Sequence, residues 1–154
     1  MKETSLTLQI DHTIPTVALK RESGFYRQVR DSLRKLDRNL ILTRLESWVM
    51  LGIPDLLVCD EAGDFHLIEL KFTKTNAVTL RPHQVAFLSK HQHASAWILI
   101  KKQKATTDPA EVFLYPARDA VDLRMDGLSK VTPVYHGKQP VQWSEIWDFI
   151  CPAK

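Results

Sequence analysis

The stretch from Gly52-Ile53-Pro54-Asp55 to Ile68-Glu69-Leu70-Lys71 constrains this chain more than any other. An Asp closes a turn and opens one apolar run, and a Glu-x-Lys interrupts the next. Burying charge is costly unless it is paired or binds metal. Three ionisable groups set into sequence otherwise suited to a sheet core therefore mark a candidate functional site.

The flanking sequence supplies the frame. Residues 5–10 alternate polar and apolar and read as a short edge strand. From about Ser23 to Asp37 the pattern is helical, with Phe25, Val29, Leu33 and Leu36 on one buried stripe. The other side carries Arg27, Arg30, Arg34, Lys35 and Arg38, with Lys20 and Arg21 upstream. Such a face is either merely solvated or contacts phosphates. Strands are predicted over 40–46, 55–60 and 65–72, the last two forming a hairpin around Glu61-Ala62-Gly63-Asp64. Pro82 suits the first position of a helix running to about Gln92, with Val85 and Leu88 as its core face. Trp97-Ile98-Leu99-Ile100 reads as a buried strand and Glu111 to Tyr115 as another. Ala117 to about Met125 reads as a short helix stopped by Gly127. Trp143, Ile146, Trp147 and Ile150 have the spacing of a docked amphipathic helix. This order predicts an α/β fold with a central mixed β-sheet of about five strands flanked by helices.

Composition sets outer limits. At 154 residues, 44% apolar and 25% charged, the chain is expected to be one globular domain rather than a disordered one. No apolar run approaches the ~20 residues of a membrane span, and no secretory apolar segment is visible near Met1. Cys59 and Cys151 lack metal-site spacing and read as reduced thiols, so a cytoplasmic setting is expected. The net charge of +3 is too small to identify a polyanionic partner by itself.

Hairpin geometry turns the opening motif into a spatial claim. A three-residue Glu61-Ala62-Gly63 loop with left-handed Gly pairs Asp60 with Asp64 and sets Asp55 opposite Glu69. Opposed Cβ atoms lie roughly 4.5–5.5 Å apart, and Lys71 points the same way as Glu69. A two-residue Ala62-Gly63 loop would instead turn Asp55 to the other face. The first register gathers the charges and is preferred. Two close carboxylates repel unless positive charge separates them. A hard divalent cation meets that need, and Mg²⁺ commonly uses only one or two protein carboxylates. With Lys71 alongside, the set suits metal-assisted phosphodiester hydrolysis.

Pro54-Asp55 followed by Glu69-Leu70-Lys71 resembles the PD-(D/E)XK nuclease superfamily. Arg44-Leu45-Glu46-Ser47 before Gly52-Ile53-Pro54-Asp55, and Arg81-Pro82-His83-Gln84 at the next helix, are similar to motifs of its VRR-NUC branch. The resemblance spans about residues 22–116, leaving 117–154 as a helical extension of the same domain. It implies a restriction-endonuclease-like core, a Mg²⁺ or Mn²⁺ cofactor, and metal ligation by Asp55, Glu69 and the carbonyl of Leu70. It makes Lys71 the catalytic lysine and Gln84 a helper at the helix start, although a Gln at the third helical position also suits a capping box. It leaves a further acidic ligand open between Glu46, ranked first, and Glu22. Arg81 departs from the usual Ser or Thr cap.

Arg27, Arg30, Arg34, Arg44, Lys74, Arg81, His83, Lys101 and Lys102, with Lys104, are expected to form a basic rim for a nucleic-acid backbone. Trp143 and Trp147 are expected in the core or at a dimer contact rather than stacked on bases. The resulting expectation is a metal-dependent DNA endonuclease acting on branched DNA, such as four-way junctions, as a two-fold dimer in a phage or mobile-element setting. The rivals are a flap, single-strand or restriction-like nuclease, and a nucleic-acid-binding module without chemistry.

Overall fold

A computed structural model describes residues 16–47 and 49–154. The expected strand at residues 5–10 lies outside the described residues. The elements in order are α1 (Thr16–Arg34), β1 (Ile41–Arg44), β2 (Leu56–Cys59), β3 (Phe65–Thr73), α2 (Pro82–Lys90), β4 (Ala96–Lys102) and β5 (Glu111–Pro116). A 3₁₀ turn at Ala117–Asp119 leads into α3 (Ala120–Asp126), followed by β6 (Tyr135–Lys138) and α4 (Trp143–Ile150). The strands form one sheet in the order β1-β2-β3-β4-β5-β6. Among the described residues only β3 and β4 pair in parallel, and α2 is the crossover that a parallel pair requires.

The fold is thus the α/β mixed sheet that the sequence predicts, with six strands among the described residues rather than about five. The added strand is β6, which pairs antiparallel with β5. Its sequence, Tyr-His-Gly-Lys, has neither alternation nor a β-branched run, so its partner rather than its own pattern makes it a strand. The first helix begins at Thr16 instead of near Ser23.

Strand parity divides the core into two layers. On one face, Leu56, Val58, Ile68, Leu70 and Leu99 pack with Phe25, Val29 and Leu33 of α1 and with Ile146, Trp147 and Ile150 of α4. On the other, Ile98, Ile100, Phe113 and Tyr115 pack with Leu88 of α2 and Leu123 of α3. Strand β4 is apolar on both faces because it is covered on both. The two helices of the first layer are tied by Ser32, whose hydroxyl donates to the Val29 carbonyl (2.6 Å) and accepts the Trp147 indole N–H (2.9 Å). Residues 117–154 therefore complete the sheet and its first core layer rather than standing apart. Of the two tryptophans, Trp147 is fully buried and Trp143 packs partly buried against the same core.

The β2–β3 register is the preferred one: Leu56 faces Ile68 and Cys59 faces Phe65. Gly63 has φ +84°, as a three-residue loop demands. Asp60 locks the turn. One carboxylate oxygen accepts the Ala62 and Asp64 N–H groups (2.9 and 3.0 Å), and the other meets His66 Nε2 (2.9 Å). His66 Nδ1 lies 2.6 Å from Ser95 Oγ, which also accepts the Trp97 indole N–H (3.0 Å). His66 thus joins the Asp60 carboxylate to the Ser95 hydroxyl. The hydrogen bond from His66, with those two turn N–H groups, holds the Asp60 carboxyl below its ordinary pKa. The Asp–His–Ser series is a structural strut from hairpin to β4, since Ser95 is already engaged at both ends.

Candidate active site

Strand parity turns Glu69 and Lys71 toward the α2 side of the sheet, at the end where β3 outruns β2. The β2–β3 ladder stops at Leu56 and Ile68. Just beyond it, the Asp55 carboxylate accepts the Leu70 N–H at 2.7 Å. The Asp55 carbonyl still accepts the Leu45 N–H (2.7 Å), so its backbone remains held to the strand edge.

Glu69 is 1% exposed. Its Oε1 receives Lys71 Nζ at 3.0 Å and a short hydrogen bond from the Gln84 amide. Its Oε2 is buried without a hydrogen-bond partner. Burial first, and the Asp55 charge second, raise the Glu69 pKa to about 7 against the pull of Lys71. Burial also raises Asp55, opposed by the Leu70 N–H and then by Lys71 and Arg44.

Gln84 fills both roles open to it. Its Oε1 accepts the Arg81 backbone N–H (3.0 Å), closing the first turn of α2, and its Nε2 donates to Glu69. The first bond orients the second: a backbone N–H only donates, so the amide oxygen must face it. Arg81 serves as N-cap through this reciprocal bond despite lacking a Ser or Thr hydroxyl. Gly52 brings the two segments together. At φ +91°, it lies so close to α2 that a Cβ would sit 2.3 Å from the His83 carbonyl oxygen. The turn before Asp55 thus abuts the helix that carries Gln84.

The structure separates the two acidic residues left open by the sequence. Glu46 lies 3.5 Å from Arg44 at the surface. Glu22 on α1 shares a cleft of about 40 Å³ with Tyr26, Arg44, Asp55 and Leu70. Burial raises its pKa, opposed chiefly by Lys71, while the Asp55 charge raises it further. Glu22, rather than Glu46, is therefore gathered with Asp55, Glu69 and Lys71. The missing signal was tertiary: nothing local says that α1 crosses this end of the sheet.

The expected basic rim is only partly assembled. Arg27, Lys74 and Arg81 are exposed. Arg30 and Arg34 pair with Asp31 (3.1 and 3.8 Å), and Arg44 also lies 4.9 Å from the Tyr26 ring centre. Lys102 bonds the Asn76 side chain (2.8 Å), and His83 meets Gly52 through its carbonyl. Lys101 is not a rim residue. It is 8% exposed, packs on the α1 side of the sheet and donates to Gln28 Oε1 at 2.9 Å.

Among the described residues, no group of three or more His, Cys, Asp or Glu side chains is arranged to hold a metal. A hard cation needs fewer: one or two carboxylates with waters suffice for Mg²⁺. The unpartnered, buried Glu69 Oε2 and the cleft beside Asp55 suit a hard cation. Asp55 and Glu69 are the residues that would hold it, with Glu22 adjacent.

No protein-family model matches the sequence, nor does any curated protein. Among solved structures, the chain is similar to Hjc, a Holliday junction resolvase from the archaeal hyperthermophile Archaeoglobus fulgidus, with 12% sequence identity and a TM-score of 0.43 over 79% of this chain and 88% of that one.

Proposed function

We propose that this chain is a divalent-metal-dependent deoxyribonuclease of the PD-(D/E)XK kind, within or near its VRR-NUC branch, that hydrolyses phosphodiester bonds in branched DNA. The observation that carries the nuclease reading is the buried Glu69 carboxylate, with one oxygen unpartnered, beside Asp55, Lys71 and Gln84. When bound, a hard divalent cation supplies positive charge to a phosphoryl oxygen and a more acidic water. Asp55 and Glu69 would supply its anionic ligands. The Leu70 N–H holds Asp55 in place. Lys71 is fixed by Glu69 and stands ready to orient the attacking water or donate to the phosphoryl oxygens as their negative charge grows. Gln84 restrains Glu69 through the bond that its own capping contact orients. Two symmetric cuts on a four-way junction call for a two-fold dimer.

The test is a cleavage panel of linear duplex, flap, fork and four-way junction, each with Mg²⁺, Mn²⁺ or EDTA. Metal-dependent nicking, strongest on branched substrates, is expected. Equal cleavage in EDTA would overturn the metal mechanism, and equal rates across the panel would overturn the branched preference. Binding without cleavage under either metal would leave a nucleic-acid-binding module.

A second expectation separates the two duties of Gln84. Gln84→Glu keeps an oxygen for the Arg81 N–H but sets a second carboxyl against Glu69. Cleavage is expected to fall about 10–100-fold, with the melting temperature little changed at acid pH and lowered as pH rises and the two carboxyls compete for a proton. Gln84→Ala should lose both activity and the capping contact, lowering stability by about 1 kcal/mol. Full activity in Gln84→Glu would remove Gln84 from the site.

A further inference from the structure

Lys71 and Phe72 are consecutive on β3 and point to opposite faces. Behind the carboxylate cluster, on the α1 face, a recess of about 170 Å³ is lined by Arg21, Gly24, Gln28, Phe72, Lys101 and Lys104, among others. Three of its lining residues are cationic and none is acidic. Among the described residues, none of these three cations makes an ion pair with a carboxylate.

Lys101 gives this imbalance its weight. A nearly buried ammonium loses hydration and is costly without an opposing charge. Its one described hydrogen bond goes to the neutral Gln28 side chain, leaving two of three donors for a ligand. Arg21 lies over the Phe72 ring, 5.5 Å from its centre, which steadies the guanidinium while leaving its N–H edge available. Gly24 supplies an independent sign. Mid-helix glycine costs up to about 1 kcal/mol relative to alanine. A Cβ at Gly24 would meet nothing within 4 Å. No neighbour demands glycine there, and its missing side chain leaves the recess open.

We propose that this recess binds one phosphate group of a nucleic-acid strand. Its tetrahedral anion meets the Arg21 and Lys104 charges at the mouth and the Lys101 donors at the wall. Arg21 and Glu22 are adjacent on α1, so a single helical turn joins this subsite to the carboxylate cluster. The strand's phosphate would thereby set the position of the bond to be cut. Burial lowers the Lys101 pKa, as expected for a cation lacking its counter-charge. The assignment of the ligand to a DNA strand rests on the nuclease reading; phosphate binding itself does not.

The test titrates potassium phosphate against potassium chloride at constant ionic strength, without divalent metal, following the Gly24 and Gln28 amide resonances. A saturable shift is expected in the wild-type protein and in Glu69→Gln. It should be lost in Lys101→Gln and in Gly24→Leu, which fills the recess without removing charge. A non-saturable shift, or an equal shift in folded Lys101→Gln, overturns the site. A short single strand lacking terminal phosphates should compete with inorganic phosphate; failure to compete overturns the strand assignment and leaves a free-phosphate site. In cleavage assays, Lys101→Gln should raise KM, lower kcat through misplacement of the scissile bond, and reduce the salt slope of binding by about one. Absence of cleavage in every variant would refute the nuclease reading while the phosphate titration still decides the subsite.

Discussion

Glu69→Gln is expected to lose cleavage by at least ~10³-fold while the metal-free protein becomes more stable at alkaline pH. The two effects share one cause. The native fold raises the Glu69 pKa to about 7, whereas the unfolded chain releases that proton near the ordinary 4.5. Between these values the folded state binds more protons, so Glu69 makes stability fall as pH rises. Its penalty is absent below about pH 4.5 and complete above about pH 7. Glutamine resembles the protonated acid and removes this decline. It also leaves an amide N–H where the unpartnered Oε2 stood, which offsets part of the gain. A net stabilisation of roughly 1–2 kcal/mol above pH 8 is expected.

Thermal melts in EDTA from pH 4 to 9 measure the difference between wild type and Glu69→Gln, which isolates this group from the others. Saturating Mn²⁺ should raise the wild-type melting temperature at high pH and leave Glu69→Gln unmoved, because ligand binding stabilises only the protein that binds it. Parallel pH profiles for the two proteins would show that burial does not hold Glu69 protonated. A retained cleavage rate would remove it from the chemistry.

Gly52→Ala should be the most damaging substitution away from the carboxylates. Its φ of +91° disfavours any L side chain, and the new Cβ would sit 2.3 Å from the His83 carbonyl oxygen. Helix α2 cannot yield without moving Gln84 away from Glu69, and the turn cannot yield without moving Asp55. A loss of roughly 2–5 kcal/mol is expected from backbone strain plus overpacking, together with loss of cleavage. Gly63→Ala is the control. Gly63 has φ +84°, but a Cβ there meets nothing within 4 Å. It should cost only ~1–2 kcal/mol from backbone strain and leave the metal-saturated cleavage rate intact. Chemical denaturation of both variants measures the contrast. Similar losses for the two glycines would mean that contact with α2 contributes little.

The legible parts of the site were those governed by short-range rules. Loop length and the left-handed Gly63 determine the β2–β3 register, which pairs Leu56 with Ile68 and brings the Asp55 carboxylate to the Leu70 N–H, next to Glu69. Pro82 and Gln84 announce a helix start because both residues suit its unpaired N–H groups. Their proximity to the carboxylates was readable only through family resemblance. Sequence ranks Glu22 below Glu46 because Glu46 lies in the segment that better matches the family motif, whereas Glu22 precedes the basic helix. Strand β6 was missed because Tyr135-His136-Gly137-Lys138 becomes a strand only by pairing with β5. Lys101 was assigned to the rim because it ends an apolar strand among other lysines.

The sequence by itself determined the interrupted hairpin, the sheet with its flanking helices and three of the charges at the site. These follow from turn geometry and the two-residue and 3.6-residue periods, which act over a few positions. Only the tertiary structure decided that Glu22 joins Asp55, that Gln84 reaches Glu69, and that Lys101 turns inward against α1. Each depends on how a helix crosses the sheet, which is set by the packing of whole faces. Burial then acts on the assembled groups: packing on the α2 face raises Glu69, and packing against α1 depresses Lys101.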